Sequence, residues 1–157
     1  MKSKLILLIL IIPFLSYSKH TKIGKYGYNI TSIYDRHFKD AGRYYDIDWR
    51  LLKSIAVIES DLKPKVKGKI GERGLMQINT RHWKVGKGIR NNIFTGAKIY
   101  VIGRNVVKKY YKSKSQIMKY SILTYNHGVG NFYKRRFRNY IYYTNVIRIY
   151  NWLTNKE

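Results

Sequence analysis

Glu59 is the residue of this sequence best placed for acid–base chemistry. It lies four residues after Ile55 and seven after Leu52, so helical spacing puts its carboxyl group on the face of these apolar side chains. A carboxyl group with apolar neighbours loses hydration, which disfavours its charged form and raises its pKa. Such a group can donate a proton near neutral pH and accept one later. The alternative is a helix-end glutamate that turns to solvent or pairs with a lysine.

Few other groups compete for this role. Of the three glutamates, Glu72 lies beside Arg73 in a glycine-containing segment and Glu157 is the last residue. We interpret Glu72 as a solvated loop residue. It is also the best candidate for a second carboxylate if the acid–base chemistry of Glu59 serves a hydrolysis. The sequence has no cysteine, and its four histidines lack metal-ligand spacing. We therefore expect no thiol chemistry, no metal and no cofactor.

A helix must present Glu59, and the sequence predicts one from Trp49 to Ser60. Asp48 is a good N-cap because its carboxylate can accept hydrogen bonds from the free N–H groups of the first turn. Pro64 prevents any continuation. The apolar stripe of this helix consists of Leu51, Leu52, Ile55, Ala56 and Ile58.

The remaining chain is also predicted to be mainly helical, because the alternation typical of strands is nearly absent. Gly128 and Gly130 break the helical pattern, and Lys63 to Arg73 reads as a glycine loop that has room for a small β-ribbon. The inward positions of the first helix are predicted to be Ile33, Phe38, Ala41 and Tyr45. The further helices are predicted over residues 32–45, 75–83, 92–111, 115–126 and 140–153.

The N-terminal residues have the pattern of an export signal. Two lysines precede an apolar run over residues 5–15, and Ser16 and Ser18 are small residues of the kind a signal peptidase reads. The run of 11 residues is shorter than the roughly 20 that span a bilayer. We predict a signal peptide over 1–18, one mature domain over 19–157, and export to the periplasm or the cell exterior. An uncleaved anchor is the alternative.

The chain is strongly cationic, with 32 Lys and Arg against 8 Asp and Glu and a net charge of +24. Such a protein binds polyanions, and charge alone does not choose among nucleic acid, anionic lipid surfaces and acidic wall polymers. The basic residues are spread along the chain, and neither an RNA-binding aromatic signature nor a helix-turn-helix pattern stands out. We therefore expect no specific nucleic acid partner.

Three further motifs follow Glu59 in a recognisable order. The four motifs are Glu59-Ser60, Gly74-Leu75-Met76-Gln77, Thr124-Tyr125-Asn126, and Tyr142-Tyr143 with Val146. They resemble those of the lytic transglycosylases of the soluble-transglycosylase type, relatives of goose-type lysozyme. Gly74 falls 15 residues after Glu59, the usual spacing in that family. The resemblance extends from about Ile33 to Tyr150.

This resemblance implies a lysozyme-like helical domain that cleaves peptidoglycan between N-acetylmuramic acid and N-acetylglucosamine. Glu59 would first protonate the glycosidic oxygen, then remove the proton of the muramic C6 hydroxyl and so close a 1,6-anhydro ring. Tyr142 would orient Glu59, with Tyr140 and Tyr143 as alternatives. The residues implied to bind or orient the glycan are Ser60, Met76, Gln77, Tyr125, Asn126 and Tyr142. Short domains of this kind also resemble those that serve secretion or conjugation machinery, or phages.

The sequence departs from the family at three positions. Gly68 replaces a serine that is usual nine residues after the glutamate, Thr124 replaces an alanine, and His127 stands where a small residue is common. The missing serine hydroxyl would help to position the catalytic group. Two other functions stay open: a goose-lysozyme-like muramidase that adds water, and a cationic wall-binding protein on an inactive scaffold.

Overall fold

A computed structural model describes residues 30–134, 137 and 140–155, and the predicted signal peptide lies outside these residues. The described elements are α1 (Asp35–Tyr45), α2 (Trp49–Ser60), β1 (Glu72–Arg73), β2 (Ile78–Asn79), α3 (Ile89–Val107), α4 (Lys114–His127), α5 (Val129–Tyr133) and α6 (Tyr140–Thr154). The two strands form an antiparallel ribbon with Glu72 opposite Asn79. The predicted fold class, mainly α with a small ribbon in the glycine loop, is confirmed. None of the described helices is long and apolar enough to cross a membrane.

Helix α2 lies at the centre of the fold, packed against α1, α3 and α6. Asp48 caps it as predicted, because its carboxylate accepts a hydrogen bond of 2.9 Å from the backbone N–H of Arg50. The same carboxylate accepts a 2.9 Å hydrogen bond from the Tyr150 hydroxyl, which ties the start of α2 to α6. Of the predicted stripe, Leu51, Leu52, Ile55 and Ala56 are buried as expected, whereas Ile58 is only partly buried. Burial on this scale holds the end of α2, and with it Glu59, in one place.

The glycine loop is fixed to α3 by the side chain of Asn92. Its amide oxygen accepts a 2.8 Å hydrogen bond from the Met76 N–H, and its amide nitrogen donates to the Arg73 carbonyl at 2.9 Å. Gly74 has a φ of 76°, and a Cβ there would lie 2.6 Å from the Asn92 amide nitrogen, so this position requires glycine. The hydroxyl of Ser60 donates to the Leu75 carbonyl at 2.8 Å. Two helices therefore hold the loop beside Glu59.

The short helix predicted over residues 75–83 is wrong. Residues 74 to 77 form turns, and Ile78–Asn79 forms β2. Gln77 has a φ of 44°, which is incompatible with a right-handed helix. The backbone groups that a helix would pair internally are instead bonded to Asn92 and to β1. The apolar spacing of Leu75, Met76 and Ile78 reflects burial in the core, not helical periodicity.

Other helix limits differ from the prediction by a few residues. Helix α1 begins at Asp35, so Ile33 lies in the preceding turn and is 71% exposed instead of inward. Helix α3 spans Ile89–Val107 instead of 92–111, since it begins directly after Gly88. Gly128 ends α4 with a φ of 79°, as predicted, but Gly130 lies inside the short helix α5 instead of breaking one.

Candidate active site

A cleft of about 560 Å³ lies between the β-ribbon and the C-terminal end of α4. Four residues that the sequence singles out line it together: Glu59, Gln77, Tyr125 and Asn126. They come from α2, from the turn before β2, and from α4, so the fold brings together motifs that are far apart along the chain.

Glu59 is partly buried at one end of this cleft and has a buried hydrogen-bond donor. The hydroxyl of Tyr142 donates to its Oε1 atom at 2.6 Å. Desolvation by burial raises the pKa of Glu59 to about 7; the hydrogen bond from Tyr142 opposes this rise, and the negative charge of Glu72 adds to it. At neutral pH both protonation states of this carboxyl group are therefore populated. A group that acts first as an acid and then as a base needs this property.

Helix α6 places Tyr142, and neither of the neighbouring tyrosines, against Glu59. Its buried face consists of Tyr142, Asn145, Val146, Ile149 and Leu153, which recur at helical spacing. Tyr140 is 46% exposed, and Tyr143 is only partly buried. The hydroxyl of Tyr142 reaches Glu59 because its ring lies in the core between α6 and α2.

Gln77 and Tyr125 both brace the walls of the cleft. The side-chain nitrogen of Gln77 donates to the carbonyls of Gly74 at 2.8 Å and of Val66 at 3.2 Å. A ligand in the cleft is therefore offered the amide oxygen of Gln77 as an acceptor. The Tyr125 hydroxyl donates to the Met76 carbonyl at 2.7 Å and so links α4 to the loop. Burial, with a further contribution from the charge of Glu59, raises the pKa of Tyr125 well above its usual value, so this phenol stays neutral.

Ser60 and Met76 do not present their side chains to the cleft, contrary to what the resemblance implies for substrate binding. Ser60 is 7% exposed, and its hydroxyl is bonded to backbone carbonyls. The Met76 side chain is fully buried against Gly96, where an added Cβ would lie 2.7 Å from the Met76 methyl carbon. Neither side chain is among the residues that line the cleft, and a part of either in orienting a glycan stays a prediction. What both residues do is hold the turn that carries Gln77.

Residues 36–145 match the family described as the Transglycosylase SLT domain. The chain belongs to this family.

Three similar proteins carry the name "Membrane-bound lytic murein transglycosylase F". The relative from Pseudomonas putida (strain W619) is 30% identical over 104 residues, which cover 62% of this chain and 21% of the relative. The relative from Pseudomonas savastanoi pv. phaseolicola has the same identity and coverage. The relative from Pseudomonas putida (strain GB-1) is 44% identical over 48 residues, which cover 31% of this chain and 10% of the relative. This SLT domain thus spans between 10% and 21% of the length of these relatives.

Among the cleft-lining residues of the SLT domain that were not candidates from the sequence, three have polar or aromatic side chains: Asn79, His82 and Trp83. Helical spacing would also put these three positions on one face, so the wrong helix prediction did not hide them. Sequence reasoning missed them because nothing in the local pattern shows that β2 and the turn after it form a wall of the cleft. The available signal was their composition. An amide, an imidazole and an indole follow closely after the Gly-Leu-Met-Gln motif, and such groups can bind polar, partly apolar ligands.

Two of the positions that depart from the family pattern also line the cleft. Thr124 Oγ1 and His127 Nε2 are buried and have no hydrogen-bond partner among the described residues. Burial lowers the pKa of His127, so its imidazole is neutral at neutral pH. Buried polar atoms are nearly always paired, so these two unpaired atoms are exceptions in the wall of the cleft.

Removing the Tyr142 hydroxyl is expected to raise the pKa of Glu59 further. The hydrogen bond to Oε1 favours the charged carboxylate, so Tyr142→Phe moves the pKa upward from about 7, by about one pH unit. NMR titration of the Glu59 side-chain carbons measures this change. Tyr143→Phe is the matched control, since it removes a hydroxyl from the next residue of α6. An unchanged Glu59 pKa in Tyr142→Phe would contradict the observed pairing.

Proposed function

We propose that this SLT domain is a peptidoglycan lytic transglycosylase that cleaves the bond between N-acetylmuramic acid and N-acetylglucosamine. The observation that carries the proposal is the Glu59 carboxyl group, which has a pKa of about 7 and is held by Tyr142 at the end of a cleft. Membership of the family and the names of the relatives support this activity.

In the first step, protonated Glu59 donates its proton to the glycosidic oxygen. The bond between this oxygen and C1 of the muramic residue then breaks, and the N-acetylglucosamine part leaves as an alcohol. Positive charge develops at C1, where the acetamide group of the substrate stabilises it. Desolvation supports this step, because it keeps the carboxyl group protonated at a pH where an exposed glutamate is ionised.

In the second step, the Glu59 carboxylate accepts the proton of the muramic C6 hydroxyl. The C6 oxygen bonds to C1 and closes a 1,6-anhydro ring, so no water is consumed and Glu59 is protonated again. The hydrogen bond from Tyr142 favours the charged form, which stabilises the carboxylate between the two steps. Asn126 and the amide oxygen of Gln77 are proposed to bind the sugar, together with the exposed part of Tyr125.

Mass spectrometry of digested peptidoglycan tests this function. We expect fragments that end in 1,6-anhydro-muramic acid, which are lighter by one water than the products of hydrolysis. Fragments with reducing ends alone would show a muramidase instead. Walls that bind the protein and release no fragments would show a cationic wall-binding protein on an inactive scaffold.

We further propose that the positive charge concentrates the enzyme on acidic wall polymers or other anionic surfaces. Lys65, Lys67 and Lys69 are exposed on the glycine loop beside the cleft. Export would bring the enzyme to this substrate, and N-terminal sequencing of the protein from the cell envelope tests cleavage after Ser18. Secretion or conjugation machinery as a partner stays a prediction.

Salt is expected to separate recruitment from catalysis. Raising the ionic strength from about 0.05 to about 0.5 M screens exposed charges, so the cleavage rate on whole walls is expected to fall by about tenfold. Cleavage of short neutral glycan fragments in the same buffers is expected to change little, because their binding does not use the net charge. Equal salt sensitivity of the two substrates would contradict electrostatic recruitment.

A further inference from the structure

Gly68 lies directly against the side chain of Glu72, which lines the cleft. A Cβ atom at position 68 would overlap the carboxylate of Glu72 and would lie within 2.9 Å of its Cδ atom. The Glu72 carboxylate therefore occupies the space that any larger residue at position 68 would fill. Glu72 can adopt its conformation only because position 68 is a glycine.

The Glu72 carboxylate is held in this position by the backbone. The N–H of Ile70 donates to its Oε2 atom at 3.1 Å, and the N–H of Gly68 donates to the Glu72 carbonyl at 2.9 Å. Pairing of β1 with β2 fixes the same residue from the other side, opposite Asn79. Glu72 is therefore a positioned carboxylate and not the freely solvated loop residue that the sequence suggests.

Glu72 also shares the cleft with Glu59. Both residues line it, and the charge of Glu72 is felt at Glu59, whose pKa it helps to raise. The resemblance implies a serine at position 68, with its hydroxyl near the catalytic group. This chain has Gly68 there, and the carboxylate of Glu72, four residues later, lies against it. The change from serine to Gly68 thus exchanges a neutral group for a negative one.

We propose that Glu72 is a second catalytic carboxylate, and that it adds a hydrolytic branch to the anhydro-forming reaction. This inference rests on the proposed function, because it uses the same first step by Glu59. A carboxylate beside a cationic sugar carbon can accept a proton from water, as in glycosidases that use two carboxyl groups. Glu72 is the one residue of β1 whose side chain provides such a group.

The hydrolytic and the anhydro-forming reactions share the first step and differ only after the glycosidic bond has broken. Water attacks C1 of the muramic residue, a bond forms between its oxygen and C1, and its proton passes to the Glu72 carboxylate. Glu72 then releases this proton to solvent, and Glu59, left as a carboxylate by the first step, takes one up from solvent. The product is a reducing muramic end, heavier by one water than the anhydro end.

Two variants test the charge and the position of Glu72 separately. Glu72→Gln keeps the size of the side chain and an oxygen that can accept from Ile70, but it removes the base. Gly68→Ala keeps the charge but displaces the carboxylate, and its backbone is not strained because Gly68 is not among the positive-φ glycines. Gly130→Ala is the matched control, since a Cβ there meets nothing within 4 Å.

The measured quantity is the ratio of reducing ends to anhydro ends in digested peptidoglycan. We expect wild type and Gly130→Ala to yield both ends, and both test variants to lower the ratio by roughly tenfold or more while anhydro ends are still formed. A purely structural role would lower both products together and leave the ratio unchanged, which would overturn the inference. Anhydro ends alone from wild type would also overturn it but leave the proposed function intact. Absence of any cleavage by wild type would contradict both the inference about Glu72 and the proposed function.

Discussion

We expect that replacing Glu59 by glutamine lowers the rate of peptidoglycan cleavage by roughly three orders of magnitude. The amide has nearly the size of the carboxyl group and can still accept the hydrogen bond from the Tyr142 hydroxyl. It can neither donate a proton to the glycosidic oxygen nor accept one from the C6 hydroxyl, so both steps lose their proton carrier. The release of soluble fragments from purified walls measures the rate.

Asp61→Asn is the matched control for this variant. Asp61 lies two residues further on, directly after α2, and its exposed carboxylate forms an ion pair with Lys63. Asparagine tolerates the left-handed backbone of this position, and an exposed ion pair contributes little to stability. We expect near-normal cleavage by Asp61→Asn. Normal cleavage by Glu59→Gln would contradict the acid–base role of Glu59.

The free energy of unfolding is expected to fall with rising pH in wild type relative to Glu59→Gln. In the unfolded chain Glu59 ionises near its ordinary pKa of 4.5, whereas in the folded protein its pKa is about 7. Between these values the folded state binds more protons, so each rise in pH favours the unfolded state. The contribution of protonated Glu59 is fully present below pH 4.5 and is lost as the pH rises through about 7. The loss amounts to about 3 kcal/mol.

Urea unfolding of both proteins at several pH values between about 4 and 9 measures this difference. All other titrating groups, such as His127, contribute to both curves and cancel when one is subtracted from the other. Parallel curves would mean that Glu59 titrates like an exposed glutamate. Such a result would also weaken the catalytic proposal, because that proposal depends on the raised pKa.

Local patterns were sufficient to predict the helix that carries Glu59. Its N-cap and apolar stripe are set by residues within a few positions of one another, and the structure agrees with them at Asp48 and at residues 51 to 57. The spacing of Leu52, Ile55 and Glu59 predicted a desolvated carboxyl group, and burial is the main cause of its raised pKa. Sequence reasoning succeeds here because a helix converts spacing directly into a face.

The turn after the glycine loop could not be predicted in this way. Leu75, Met76 and Ile78 have the spacing of a short helix, and their burial is real. The conformation, however, is set by Asn92, which lies 16 residues beyond Met76 and bonds to its N–H. The local spacing of apolar residues does not reveal a hydrogen-bond partner so far along the chain. Asn79, His82 and Trp83 were missed as cleft residues because the other walls of the cleft come from distant parts of the chain.

By itself, the sequence determined the fold class, the helix that presents Glu59 and the ordered motifs that place the chain in its family. Only the tertiary structure decided which tyrosine meets Glu59, since Tyr142 lies 83 residues away along the chain. It also decided that Glu72 fills the space above Gly68 and lines the cleft, where the sequence suggested a solvated loop residue. The physical reason is that residue spacing specifies the faces of single elements, whereas desolvation and charge at a site depend on every element packed around it.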